Sequence, residues 1–151
     1  MLDDGSSEEQ SGLMARLSIR IDFGNETAFG PGKAQLLELI GEKGSIRSAA
    51  AAMDMSYRRA WLLIQEIEAA VGGPAIAAET GGARGGGSTL TPLGRMIVDR
   101  YRAIEAQASR SAEAQLRALS KLAHSGSVHV DLSRGRKRTS PKVRKATTIK
   151  G

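Results

Sequence analysis

Nine residues of alternating apolar and polar character, three short helical patterns divided by capped breaks, and a glycine-centred hairpin leading into one long heptad-spaced pattern together predict a mainly α chain with a small β hairpin. The order of these elements is that of a winged helix-turn-helix, with an N-terminal strand ahead of it and a long C-terminal dimerisation helix behind it. The 151 residues suit one domain with tails.

The alternation runs from Ala15 to Phe23, with Leu17, Ile19, Ile21 and Phe23 on one side and Arg16, Ser18, Arg20 and Asp22 on the other. Period two over this length predicts a half-buried strand, ended by the Gly24-Asn25 turn signal. Pro31 opens the first helix, Leu36, Leu37, Leu39 and Ile40 give it an apolar face, and Gly41 and Gly44 mark its end. Ser45 is an N-cap for a short Ala-rich helix reaching about Met53. Met53-Asp54-Met55 breaks the pattern, and Ser56 caps a third helix running to about Val71. Ala60, Ile64, Ile67 and Val71 form its buried stripe. Gly72-Gly73-Pro74 stops it. Ala75 to Glu79, a loop with five glycines from Thr80 to Ser88, and Thr89-Leu90-Thr91 are read as a hairpin. Thr91 and Pro92 then start the last helix. Its apolar positions, Leu93, Ile97, Tyr101, Ile104, Ala108, Ala112, Leu116 and Leu119, recur at near-heptad spacing. A helix over residues 92–122 is about 45 Å long at 1.5 Å per residue. The earlier helices are too short to cover it, so its second half is expected to pair with a second copy of the chain.

Composition excludes several classes of function. Aromatic residues make up only 3% of the chain, which argues against an all-β sandwich and for a core of Ala, Leu, Ile, Val and Met. There is no cysteine, hence no disulfide framework, cysteine-based zinc site or thiol nucleophile. His124 and His129 flank a Gly/Ser patch without an acidic or imidazole cluster and are read as solvated loop residues. No stretch is apolar over a bilayer's width, and the acidic start (Asp3, Asp4, Glu8, Glu9) is the opposite of a secretory signal, so a cytoplasmic protein without a membrane partner is expected. The net charge of +6 is uneven. Leu132 to Gly151 carries eight bases and no acid, while the rest of the chain holds 14 bases and 16 acids. The expected division is therefore an acidic disordered segment 1–12, a folded domain 13–123 and a basic disordered tail 124–151. Such a tail either engages polyanions, nucleic acid before anionic membrane, or acts as a solubilising extension.

The stretch from Gly44 to Trp61, GSIRSAAAAMDMSYRRAW, carries the functional signal. An Ala-rich helix, a three-residue break and a second capped helix let the third helix cross the second steeply, and the methyls of residues 49–52 permit a tight crossing. The first turn of the third helix then presents Tyr57, Arg58 and Arg59, where a recognition helix meets base edges and phosphates. Trp61, one turn on, stacks on a nucleotide or packs on the scaffold, with packing the favoured reading. Gly81 to Gly87 lacks the G-x-x-x-x-G-K-[ST] spacing of a nucleotide-binding loop and suits a wing tip instead, with Arg84 reaching a phosphate or the minor groove.

These residues, with TGGARGGGSTLTPLGRMIV at 80–98, resemble the N-terminal domain of the ModE-type molybdate-responsive transcriptional regulators and, more distantly, the LysR-type DNA-binding domain. The resemblance covers roughly residues 15–120. It implies a winged helix with an N-terminal strand and a dimerising helix, in which Ser45–Ala52 and Ser56–Glu68 form the reading motif, and it implies a regulator that binds a palindromic operator as a dimer. Asp54 stands where the family's turn usually has Gly, a position Asp tolerates at some cost. Arg84 lies one place after the family's basic wing residue, and Ala78-Glu79 replaces an arginine ahead of the Thr-Gly-Gly. Full-length members continue into molybdate-binding domains, for which Ser125 to Gly151 is too short and too polar, so no molybdate binding by this chain is expected.

The sequence therefore predicts a dimeric regulator of double-stranded DNA without a cofactor or catalytic constellation. Ser45, Arg47, Ser56, Tyr57, Arg58, Arg59 and Arg84 are the candidate DNA-binding residues. An architectural DNA binder driven by the tail and a dimeric protein-interaction module stay open as alternatives.

Overall fold

The computed structural model of the chain describes residues 14–24, 26–80 and 86–125. The two expected tails, apart from the helical residues 124–125, and the loop 81–85 with Arg84 lie outside these. Eight elements follow in order: β1 (Ile21–Asp22), β2 (Ala28–Phe29), α1 (Pro31–Lys43), α2 (Ile46–Ala52), α3 (Tyr57–Val71), β3 (Ile76–Glu79), β4 (Gly87–Leu90) and α4 (Pro92–Ser125). The chain is thus mainly α with two small antiparallel strand pairs, β1 with β2 and β3 with β4. Among the described residues, no helix is long and apolar enough to cross a membrane.

α1 is the hub. Pro31 supplies its first turn, and Gly44, left-handed at φ 68°, closes it by donating its N–H to the Ile40 carbonyl. The adjacent residues Leu36 and Leu37 are both fully buried but serve different clusters. Leu37 joins Phe29, Ala34, Ile67, Ala75, Leu90, Val98 and Tyr101, which ties α1 to α3, the β3–β4 hairpin and α4. Leu36 joins Ile40, Ile46, Ala49, Ala50, Ala60 and Ile64 between α1, α2 and α3. Each such Leu contributes about 1.5–3 kcal/mol by burial. Gly41 does not end the helix as its residue type suggested. It lies inside α1, where a Cβ would come within 3.3 Å of Leu90 Cδ1, so its function is to admit the β4 side chain.

The expected strand over 15–23 shrinks to a two-residue ladder, Ile21 opposite Phe29 and Asp22 opposite Ala28. The period-two pattern is nevertheless real. Ala15, Leu17, Ile19 and Ile21 are half-buried while Arg16, Ser18, Arg20 and Asp22 are exposed. α4 takes the place of a neighbouring strand here: Tyr101 donates its hydroxyl to the Ile19 carbonyl at 2.9 Å, and Ala15 donates its N–H to Ser120 Oγ at 2.7 Å. Burial and the nearby Glu105 charge raise the Tyr101 pKa, which keeps this donor protonated. Phe23 departs from the face assigned to it and is exposed, because the chain turns through Gly24 at φ 81°.

α4 is anchored at its start. Thr91 Oγ1 accepts from the Gly94 N–H at 3.0 Å and donates to the Pro74 carbonyl at 2.6 Å. Gly94 is buried directly on the Ala75 carbonyl, where any Cβ would overlap that oxygen. Further along, Arg102 grips both carboxylate oxygens of Glu38 on α1 and one of Glu105, each at 2.8 Å. Hydrogen bonding to Arg102 lowers the Glu38 pKa against the opposing effect of burial. The sequence left the second half of α4 to a second copy alone. In the structure part of it is covered by the chain's own N-terminal segment, and Ser120 is buried. Ile104, Leu119 and Leu122 remain exposed.

Two of these features are open to direct measurement. Gly94→Ala lowers unfolding free energy by about 2–3 kcal/mol in chemical denaturation, through overpacking on Ala75. Gly32→Ala, on α1 where a Cβ meets nothing within 4 Å, is the control and raises stability by about 0.5–1 kcal/mol. The second concerns pH. Glu38 has a lower pKa in the fold than the ordinary value of about 4.3, so its pairing with Arg102 stabilises above that pH and is lost as pH falls through the lower folded value. Both side chains are more than a third exposed, which limits the effect to about 0.5 kcal/mol. Glu38→Gln costs that much at pH 7, and the difference between the two proteins shrinks as pH falls below the ordinary glutamate value in parallel denaturation curves.

Candidate nucleic-acid interface

The outward surface of the helical unit begins with two caps. Ser45 Oγ accepts from the Ser48 N–H at 3.2 Å, and Ser56 Oγ accepts from the Arg59 N–H at 3.1 Å. Each satisfies one of the amide donors left open at a helix start. Between them the chain reverses over Met53-Asp54-Met55. Met55 donates its N–H to the Ala50 carbonyl at 3.0 Å, and Asp54 sits in the left-handed region at φ 52°. The steep crossing relies on fewer alanines than the sequence suggested. Ala49, Ala50 and Ala60 are buried, whereas Ala51 and Ala52 are exposed.

Burial of Ala60, Ile64 and Ile67 decides what α3 turns outward. Tyr57, Arg58, Trp61, Leu62 and Gln65 are exposed, related by steps of four that keep them on one face. Arg58 belongs to that face. Arg59 is exposed on its flank, where it borders a groove with Met53, Met55, Leu63 and Lys33. Lys33 is already engaged with the Ala28 carbonyl at 2.6 Å and with Glu66 at 2.8 Å. The two adjacent arginines are therefore not equivalent. Arg47, from the first turn of α2, lies over the Tyr57 ring at 5.0 Å. The Tyr57 and Trp61 rings meet edge-on at 6.2 Å. Arg47, Tyr57 and Trp61 thus form one continuous surface that joins the first turns of α2 and α3. The first turn of α3 contains no acid.

The hairpin flanks this surface. β3 and β4 pair in the register Ile76–Leu90, Ala77–Thr89, Ala78–Ser88 and Glu79–Gly87. Glu68 of α3 accepts the Ala75 N–H at 2.9 Å, which holds the start of the hairpin. Ser88 donates to the Gly44 carbonyl at 2.9 Å, which ties β4 to the α1–α2 junction. Six of the seven candidate residues, Ser45, Arg47, Ser56, Tyr57, Arg58 and Arg59, lie on the two capped helix starts. The seventh, Arg84, belongs to the loop outside the described residues. Trp61 meets the first turn through its edge-on contact with Tyr57, but it joins neither core cluster and stays 38% exposed, so the packing on the scaffold favoured from the sequence is met only in part. Leu62 and Gln65 were not singled out from the sequence. They are found by counting four residues on from Arg58 and Trp61, on the complement of the Ala60–Ile64–Ile67 stripe. Among the described residues there is no cluster of acids and histidines able to hold a metal ion.

A capped α2–turn–α3 unit, backed by α1 and flanked by a two-stranded hairpin, defines a winged helix-turn-helix domain. No protein-family model matches the chain. It is 40% identical over 93 residues to the molybdenum transport protein ModE of Azotobacter vinelandii, covering 62% of this chain and 34% of that protein. It is 40% identical over 77 residues to the molybdenum-pterin-binding protein MopB of Rhodobacter capsulatus, covering 51% and 28%. It is 37% identical over 70 residues to ModE of Herbaspirillum seropedicae, covering 46% and 26%. The winged helix is in this sense a ModE-like helix-turn-helix domain, and the chain spans about a third or less of the length of these relatives. Among solved structures, a chain of the CbnR_DBD–DNA complex matches 58% of this chain and 94% of its own length, at 23% identity and a TM-score of 0.45.

The strained turn is open to test. Asp54→Gly relieves a left-handed non-glycine conformation and raises stability by about 0.5 kcal/mol, the gain being offset in part by a more flexible unfolded chain. Thermal melts of the two proteins measure it.

Proposed function

We propose that the chain is a sequence-reading regulator that binds double-stranded DNA as a dimer. The observation that carries this is the outward face of α3, which sets Tyr57 and Arg58 at a capped, acid-free helix start with Arg47 and Arg59 beside them. A helix of 15 residues fits the major groove, and its free amides attract phosphate. In this reading Arg58 forks onto a base edge, preferably guanine, and Arg47, Arg59 and the Ser45 and Ser56 hydroxyls bind the backbone. Arg84 extends the contact from the wing, and the eight bases of 132–151 add affinity without sequence preference. Pairing of two copies through α4 is supported by the exposed Ile104, Leu119 and Leu122 and by a helix of 34 residues, about 51 Å long, that outlasts the domain it grows from. A two-fold dimer reads a palindromic site. The strongly basic tail is the one feature that favours a second reading, an architectural binder with slight sequence preference.

Selection from random duplexes, with titrations at two salt concentrations, separates the two. The intact chain is expected to enrich a palindrome, and a chain ending at Ser125 is expected to keep it at lower affinity. Arg58→Ala combined with Arg59→Ala lowers affinity at least tenfold and reduces the salt slope by about one for each phosphate that an arginine no longer reaches. Binding that disappears with the tail and enriches no motif overturns the regulator reading in favour of the architectural one. Unchanged DNA affinity in the double variant places the function of this face elsewhere, in docking a protein.

A further inference from the structure

Three large apolar side chains stand on the outward face of α3: Tyr57 is 43% exposed, Trp61 38% and Leu62 42%. The fold does not need them there. The opposite side of the same helix already buries Ala60, Ile64 and Ile67 completely or almost so, and on the outward face Arg47, Tyr57 and Trp61 touch one another while each apolar side chain keeps more than a third of its surface in solvent. A Trp and a Leu next to each other on an exposed face leave apolar surface in water that a partner would cover. Whatever covers them must bring apolar groups beside anionic ones, because Arg47 lies over the Tyr57 ring, Arg58 shares the face and no acid lies in the first turn. Duplex DNA has that combination in one place. In the major groove each strand carries phosphates, and the apolar group on the groove floor is the thymine 5-methyl.

We infer that Trp61 and Leu62, with the ring of Tyr57, form an apolar reader of thymine methyls, so that the site bound by this chain carries thymine where α3 lies. The inference rests on the proposed DNA-binding role and names the bases that role selects. Trp61 and Leu62 sit four residues beyond Tyr57 and Arg58, about 6 Å along the helix, and base pairs are spaced by about 3.4 Å. The thymines therefore fall within about two base pairs of the base met by Arg58. Arg47 is a positioning residue in this scheme: stacked on the Tyr57 ring at 5.0 Å, it holds that ring and leaves Trp61 edge-on at 6.2 Å beside it.

The test uses the full chain and the duplex it selects from a random pool. Replacing the selected thymines by deoxyuridine removes the methyl groups and keeps every hydrogen bond of the base pairs. The expected loss is about fourfold in affinity per contacted methyl, equivalent to about 0.8 kcal/mol for one buried carbon. Trp61→Ala and, separately, Leu62→Ala are expected to bind the thymine and deoxyuridine duplexes with a smaller ratio than the unmodified chain, and circular dichroism of each variant checks that it is folded. A deoxyuridine duplex bound as tightly as the thymine duplex, or a thymine preference that survives both substitutions, overturns the inference and leaves the DNA-binding role intact. A pool that yields no motif at all defeats that role first, and the apolar patch then belongs to a protein partner.

Discussion

The crossing of α2 over α3 depends on three alanines, Ala49, Ala50 and Ala60, each with essentially no exposed surface. Their methyl groups are small enough for the two backbones to approach closely, and one larger side chain among them would force the helices apart. Everything outward follows from that approach. With Ala60, Ile64 and Ile67 turned inward, Tyr57, Arg58, Trp61, Leu62 and Gln65 have one direction left. The left-handed Asp54 is a consequence of the same constraint, since the reversal between two helices so close together leaves little room for a longer loop.

A second set of contacts holds the remainder against this unit. They are mostly polar bonds between main chain and side chain, few in number and each at a junction. Glu68 takes the first amides of the hairpin, Thr91 bridges from Pro74 to the start of α4, and Ser88 returns β4 to Gly44. None lies within an element. Such bonds are individually worth about 1 kcal/mol, yet each sets the direction in which the next element leaves, and the missing side chain of Gly94 sets how closely α4 can follow Ala75.

α4 is shared between two tasks. Its first three turns belong to the core through Val98 and Tyr101, and Arg102 locks it to α1. Beyond that the N-terminal segment lies along it and uses its period-two pattern against a helix instead of a strand. The apolar residues left over, Ile104, Leu119 and Leu122, are the surface that an association of two copies would cover.

The elements whose order came from local chemistry were legible in the sequence. Pro31, Ser45, Ser56, Thr91 and the Gly44 and Gly72 stops define helix ends through bonds within a few residues, so α1 to α4 appear where the caps put them. The hairpin between two runs flanking a glycine loop was legible for the same reason, whereas the left-handed position at 54 was expected only from the resemblance, which sets Asp54 where the family's turn has Gly. Contacts between residues distant in the chain were not. Alternation from Ala15 to Phe23 shows that one side is covered but not by what, and a helix leaves the same period-two trace as a strand. Gly41 looked like a helix stop because its reason, the Leu90 side chain, lies 49 residues away. Likewise, Arg58 and Arg59 are neighbours of identical chemistry in the sequence, and only the packing of α3 separates an arginine on its outward face from one on its flank. By itself the sequence determined the helices, their caps and the residues available at the second helix start. Tertiary structure alone decided which of those residues share a face, because a face exists only once the opposite side of the helix has been buried.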